Sequence, residues 1–418
     1  MAKKDQYRFH TKVLHSSQTP ELWEGATLPP ISQTASHRHA TAENLRDTFG
    51  GKTADHIYMR LTNPTNRVLE KKLADLENGM GTIVMSSGMA AVTNSCLALL
   101  RAGDEFVTGN SLFMSTYVLF ANIFKKYGIT ARLVESTDLD AIETAINDRT
   151  RFIYLETIGN PKMDVPDITR TAEIAHRHGL PLLVDNTLAT PYLCRPLKLG
   201  ADVIIHSTTK YLSGHGDATG GAVIDGGAFD WSSARFPDFK PFVDRKGSLA
   251  FYDKVWREHH INFGTTQAPL HSYLTMIGLD TLGIRMERHV ANAMEVARYL
   301  ATRPEITWIN YPGLEDSRFR TVADKQFGGK GYSGLMTFGL KDQQTCFKFI
   351  NNLQLIYHLA NLGDCKSLVI HPYSSQYLSF PEGTRQALSI TPDLIRLSVG
   401  IEAVEDIIDD LAQALDSL

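Results

Sequence analysis

The chain has 418 residues, 43% of them apolar and 21% charged, with a formal net charge of −4. That length exceeds one ordinary core and predicts two or three domains, and so small a charge gives no electrostatic basis for holding nucleic acid. No run approaches the ~18 uninterrupted apolar residues of a membrane span, and the polar opening lacks the apolar stretch of a signal peptide, so the expectation is a cytoplasmic protein with neither membrane nor nucleic-acid partner.

Residues 1–63 mix Pro, Thr, His and charge without sustained periodicity, which predicts an extended arm that docks on something else, such as another subunit. From 64 to 263 helical and strand-like segments alternate. A helix is expected at 68–77, a strand at 82–85 and an apolar helix at 90–100. Short apolar runs follow at 152–155, 182–184, 203–205 and 222–224, with a helix at 168–178 between the first two. This is the pattern of an α/β domain built on a mostly parallel sheet. The aromatic and charged stretch 229–256 has no clear period and is expected as an excursion near the edge of that domain. Over 264–418 a long helical pattern at 270–300, strands at 335–339 and 368–370, and a closing helix at 404–415 predict a smaller α+β domain.

The strongest local signal is His206-Ser207-Thr208-Thr209-Lys210, directly after the apolar run 203–205. A lysine just past a buried strand sits at the carboxyl edge of the sheet, where open α/β proteins bind ligands. If partly desolvated, such a lysine can form a Schiff base with a carbonyl. Taken alone, a lysine at a strand end is more often a solvated surface charge. Asp185 ends the run 182–184 and belongs at the same edge, either as a turn or cap residue or as the acidic partner that a pyridine nitrogen requires. Ser86-Ser87-Gly88-Met89 joins a short strand to an apolar helix and outlines a phosphate cradle, to which Ser207 and Thr209 add hydroxyls.

Other motifs carry less. Gly329-Lys330-Gly331 with Gly334 matches the letters of a dinucleotide fingerprint but precedes a strand instead of following one, and Gly51-Lys52-Thr53 lacks the earlier glycine and strand of a P-loop. The histidine pairs His37/His39, His176/His178 and His259/His260 lack zincin spacing, and Cys96, Cys194, Cys346 and Cys365 form no CxxC, so no metal site and no disulfide framework are expected. No GxSxG elbow occurs.

Together these residues resemble the cystathionine/methionine-metabolism branch of fold-type I enzymes that use pyridoxal 5′-phosphate (PLP). The likeness runs over nearly the whole chain, through Tyr58-Met59-Arg60, Asn63-Pro64-Thr65, Ser86 to Met89, Glu156 with Asn160-Pro161, Asp185-Asn186, Ser207 to Tyr211, Ser367-Leu368-Val369 and the run beginning at Arg396. It implies Lys210 as Schiff-base residue and proton carrier, Asp185 as partner of the pyridine nitrogen, and Ser87, Gly88, Met89, Ser207 and Thr209 around the phosphate. Glu156 and Asn160 would line the cofactor site, and Arg396 would take the substrate carboxylate as a bidentate fork, with Ser367 and Asn160 nearby. Tyr58 and Arg60 would reach the phosphate of a neighbouring subunit, which implies a homo-oligomer, at least a dimer and by likeness a tetramer of two catalytic dimers. Where the family commonly stacks a tyrosine on the cofactor ring, this chain offers Phe113, leaving Tyr58 as a phenol for the γ-carbon.

Within that family, 231–253 and 358–372 look most like O-acetylhomoserine sulfhydrylases. The implied activity is γ-replacement of O-acetyl-L-homoserine by sulfide or a small thiol, giving L-homocysteine or methionine and acetate in methionine biosynthesis. A methionine or cystathionine γ-lyase and an O-succinylhomoserine sulfhydrylase are the nearest alternatives, and a nucleotide-binding or regulatory α/β protein without catalysis is the one from another class.

Overall fold

The structure, a computed structural model, describes residues 7–16, 23 and 25–418. The polar opening at 1–6, on which the signal-peptide reading rests, lies outside the described residues, as do 17–22 and 24 of the arm. Seven strands form one sheet: β1 (Gly81–Met85), β2 (Glu105–Gly109), β3 (Thr130–Val134), β4 (Thr150–Glu156), β5 (Leu182–Asp185), β6 (Val203–Ser207) and β7 (Gly221–Asp225). Their order is β1-β7-β6-β5-β4-β2-β3, and β7 alone runs against its neighbours. The parallel centre explains why β4 to β6 read as nearly continuous apolar runs, since both faces are covered. Phe152 and Tyr154 point into one core layer with Phe106, Phe120 and Trp231, while Ile153 and Leu155 point into the other with Val184 and Ile204.

The second layer is shared with a five-stranded sheet of β8 (Trp308–Asn310), β9 (Leu335–Gly339), β10 (Tyr357–His358), β11 (Leu368–Ile370) and β12 (Leu394–Ser398), in the order β10-β11-β12-β9-β8. β10 runs parallel to β11, and the other pairings are antiparallel. A large, mostly parallel α/β sheet and a smaller mixed C-terminal sheet are the architecture the sequence implied.

The differences have local causes. The helical pattern over 270–300 is two helices, Pro269–Asp280 and Leu282–Ala301, because Thr281 at φ −103° and ψ 3° leaves helical geometry. The aromatic excursion folds into a single 3-10 turn, Pro237–Phe239, and two short α-helices, Lys240–Lys246 and Ala250–Lys254, around Trp231. Trp231 stacks on Phe239 at 4.6 Å and on Phe251 at 5.3 Å, so aromatic packing holds this segment where no periodicity does. The described residues of the arm include two short helices, Phe9–His15 and Ala42–Phe49. The first packs on its own chain, with Phe9 edge-on to Tyr192 at 5.2 Å and His10 bonded to Glu287 at 3.0 Å. Among the described residues no helix is long and apolar enough to cross a membrane.

Candidate active site

The carboxyl ends of β4, β5 and β6 lie side by side and deliver Glu156, Asp185 and Ser207 to one edge of the large sheet. Register fixes this: Glu156 pairs with Asp185, and Asp185 with Ile205. The helix Gly88–Leu97 starts at the same edge, capped by Ser87, whose hydroxyl accepts from the Ala90 amide at 3.1 Å. Gly88 is required by close approach, since a Cβ there would lie 2.7 Å from Ser207 Cβ. Lys210 follows three residues after Ser207 in a turn.

These groups surround a cavity of about 210 Å³. Ser87, Gly88, Met89, Phe113, Glu156, Asn160, Asp185, Ser207, Thr209, Lys210 and Arg396 all line it, so most of the residues singled out in the sequence meet in one place. Three do not. Tyr58 and Arg60 are exposed and line a separate crevice of about 760 Å³, with the guanidinium 5.6 Å from the Tyr58 ring centre and bonded to the Ile261 carbonyl. Ser367 is buried, but its hydroxyl donates to Glu402 Oε2 at 3.0 Å and accepts from the Gly400 amide at 2.9 Å.

The acids are held at different heights. Asp185 accepts from the Thr187 amide at 2.9 Å and from the Tyr154 phenol at 3.5 Å, and burial pushes its carboxyl up against the pull of those bonds. Glu156 accepts from the Phe113 amide at 2.7 Å and is pushed well up by burial first and the neighbouring Asp185 second. Two acids at one edge thus leave Asp185, with the better set of donors, as the one suited to carry charge.

Lys210 is held low, at about 8, by burial first and by the Arg396 guanidinium second. Its ammonium donates to Asn361 Oδ1 at 2.5 Å. Arg396, buried in β12, donates to Asn160 Oδ1 at 3.2 Å and to the Asn361 carbonyl at 3.2 Å, and burial lowers it to about 10. Asn361 thus touches both cations, and Thr187 organises Asp185 while accepting from the Ser207 amide at 2.8 Å. Neither is among the candidate residues named from the sequence. Asn361 lies in a loop after the two-residue strand β10, where no local pattern marks it, whereas Thr187 stands two residues after an acid at a strand end, a spacing that does signal an Asx-type turn.

Chemically, the cavity presents an amine that is neutral in part at neutral pH, a carboxylate, a helix start with free amides and hydroxyls, and an arginine fork. Among the described residues no cluster of metal-ligating side chains occurs.

A family model described as "Cys/Met metabolism PLP-dependent enzyme" matches residues 10–416. The chain is similar to the homocysteine synthase of Schizosaccharomyces pombe, 39% identical with 98% of each chain covered. It is also similar to the L-methionine gamma-lyase of Pseudomonas putida, 39% identical with 97% of each chain covered. Among solved structures, a putative O-acetylhomoserine (thiol)-lyase from Campylobacter jejuni superposes with a TM-score of 0.94 at 34% identity, covering 98% of this chain and all of that one, and it carries N′-pyridoxyl-lysine-5′-monophosphate.

Proposed function

The chain belongs to the Cys/Met metabolism family of PLP-dependent enzymes, and from that premise we propose that it replaces the γ-acetoxy group of O-acetyl-L-homoserine with sulfide or a small thiol, forming L-homocysteine or methionine and acetate. The observation that carries this reading is the meeting of Lys210, Asp185 and Arg396 around one cavity, with Phe113 in place of a phenol on its wall.

The residues present fit the cofactor. Gly88 leaves a cradle that a Cβ would fill, the start of the helix Gly88–Leu97 offers amides to a phosphate, and Ser207 and Thr209 add hydroxyls. Asp185 offers a buried acceptor for a pyridinium, and Phe113 an apolar face for the ring. Bound there, PLP supplies an electron sink for negative charge at the substrate's α- and β-carbons.

The chain's own groups do the rest. Arg396 grips the substrate carboxylate in its fork and so points the α-hydrogen toward Lys210. Lys210, half deprotonated near pH 8, takes that proton and returns one at a neighbouring carbon. Asn361 holds the lysine head when it carries the proton. Phe113 has no proton to offer the leaving group, which favours departure of acetate, a good leaving group by itself, over the thiolate departure that a γ-lyase must assist.

In this reading Tyr58 and Arg60 complete the site of a second copy, so the enzyme is a homo-oligomer, at least a dimer, and a tetramer by family likeness. Their exposure away from the cavity of their own chain supports it. A cytoplasmic setting is part of the same proposal, supported by four cysteines that are all free.

The deciding experiment incubates PLP-loaded protein with O-acetylhomoserine, with and without sulfide, and follows homocysteine and 2-oxobutyrate together. Homocysteine that depends on sulfide, with little keto acid, is expected. Keto acid formed without thiol, above all from methionine or cystathionine, would move the assignment to a γ-lyase.

A further inference from the structure

Next to the sheet edge, among residues that do not line the cavity, lies a buried polar cluster that none of the roles above uses. Glu77, the last residue of the helix Pro64–Glu77, and His206 of β6 are both fully buried. His206 Nε2 lies 2.6 Å from Glu77 Oε1, and the same oxygen accepts from Asn186 Nδ2 at 2.8 Å. Asn186 also donates to the Cys194 carbonyl at 3.0 Å and accepts from the Thr157 hydroxyl at 2.8 Å. Asn186 and Thr157 are fully buried as well. The second oxygen of Glu77 and the second ring nitrogen of His206 have no partner.

Burying a carboxyl group with one oxygen unanswered is costly, and a packed apolar pair of similar size would avoid the cost. The placement of the cluster indicates what that cost serves. Thr157 follows Glu156, Asn186 follows Asp185, and His206 precedes Ser207. His206 alternates with Ser207 across β6, and Thr157 and Asn186 directly follow the ends of β4 and β5, so each of these three residues is the chain neighbour of one that lines the cavity while lining none of it itself. Glu77 reaches them from the helix that leads into β1, and so links three strand ends to one fixed point.

We propose that Glu77 and His206 form a positioning pair that, through Asn186 and Thr157, sets the height and orientation of Asp185 and its neighbours at the floor of the cofactor cavity. The proposal rests on the reading of Asp185 as partner of the PLP ring nitrogen. The pair touches neither cofactor nor substrate. It acts by pinning the backbone at 185–187, where the Thr187 amide meets the Asp185 carboxylate and the Thr187 hydroxyl meets the Ser207 amide.

The test compares the PLP-loaded wild type with Glu77→Gln, which keeps the size and one acceptor oxygen but removes the charge. Three quantities are read: the visible spectrum of the bound cofactor, its rate of release on dialysis, and the melting temperature. Expected are an altered spectrum and release about tenfold faster, the effect of weakening one charged hydrogen bond, without a matching fall in melting temperature. In an Asp185→Asn background Glu77→Gln should add nothing to either cofactor readout, because both changes act on one group. A lower melting temperature with unchanged spectrum and release, or a full additive effect in that background, would overturn the proposal. If Asp185→Asn alone leaves spectrum and release untouched, the reading of Asp185 fails, and the positioning role with it. Should Glu77→Gln not accumulate as folded protein, His206→Gln, which keeps a donor toward Glu77, is judged by the same readouts.

Discussion

The proposed role requires Lys210 to act as a base near neutral pH although it sits beside an arginine in the lining of a buried cavity. Burial and Arg396 together hold it near 8 instead of 10.5, so between those values the folded chain binds less proton than the unfolded chain, and stability rises as pH climbs through that window. Below about 8 the buried ammonium costs the cofactor-free protein roughly 3 kcal/mol at most. Lys210→Met removes that cost. Cofactor-free Lys210→Met should therefore be more stable than wild type to urea at pH 7, by up to about 3 kcal/mol, with the gap closing toward pH 10.5; a gap independent of pH would show that the lysine is not displaced. Asn361 allows a second separation of effects, because its side chain serves Lys210 while its main-chain carbonyl serves Arg396. Asn361→Ala deletes only the first contact. Steady-state kinetics should show kcat falling on the order of tenfold, the value of a hydrogen bond to a charged group, with KM moving far less; a loss confined to KM would place Asn361 with substrate binding instead.

At the scale of elements, the site depends on how closely β7 and the start of the helix Gly88–Leu97 approach each other. A Cβ on Gly221 would fall 2.1 Å from the Ser87 carbonyl oxygen and 2.8 Å from the Gly88 amide, and these are backbone atoms that cannot swing aside. Gly221→Ala should thus displace the helix start, lowering stability by roughly 2 kcal/mol or more and reducing PLP retained after gel filtration, whereas normal cofactor content would mean that the cradle tolerates the shift. This geometry also marks the limit of what could be read from sequence. Lys210 and Asp185 were legible because each follows a short buried apolar run, and a parallel sheet brings such positions to one edge. The cap at Ser87 was legible from small residues between a strand and a helix. Asn361 was not, since it meets Lys210 across 151 positions and follows an exposed two-residue strand with no pattern of its own. Nor were β2 and β3 singled out, since five-residue strands such as Glu105–Gly109 and Thr130–Val134 carry charge and give only brief apolar runs. The break at Thr281 was missed because apolar spacing continues across it.

At the scale of the molecule, the cavity of one chain is lined by none of the described residues of the 1–63 arm, although the arm carries Tyr58 and Arg60 in the open. An exposed tyrosine and arginine fixed beside each other, with the guanidinium 5.6 Å from the ring, form a surface suited to an anion held by another chain. If two copies exchange these residues around a two-fold axis, each site takes Lys210 from one chain and Arg60 from the other. Lys210→Ala and Arg60→Ala should then each be inactive alone for different reasons. Mixed and allowed to exchange subunits, they should regain activity, because one site of every mixed dimer receives an intact Lys210 and an intact Arg60 while the other receives neither. Random exchange makes half of the dimers mixed, each with one whole site, so recovery should approach about a quarter of the wild-type rate. Absence of any recovery, with exchange verified by mass spectrometry of differently tagged chains, would mean that Arg60 serves its own chain, and the arm would have to close over the cavity it now leaves open.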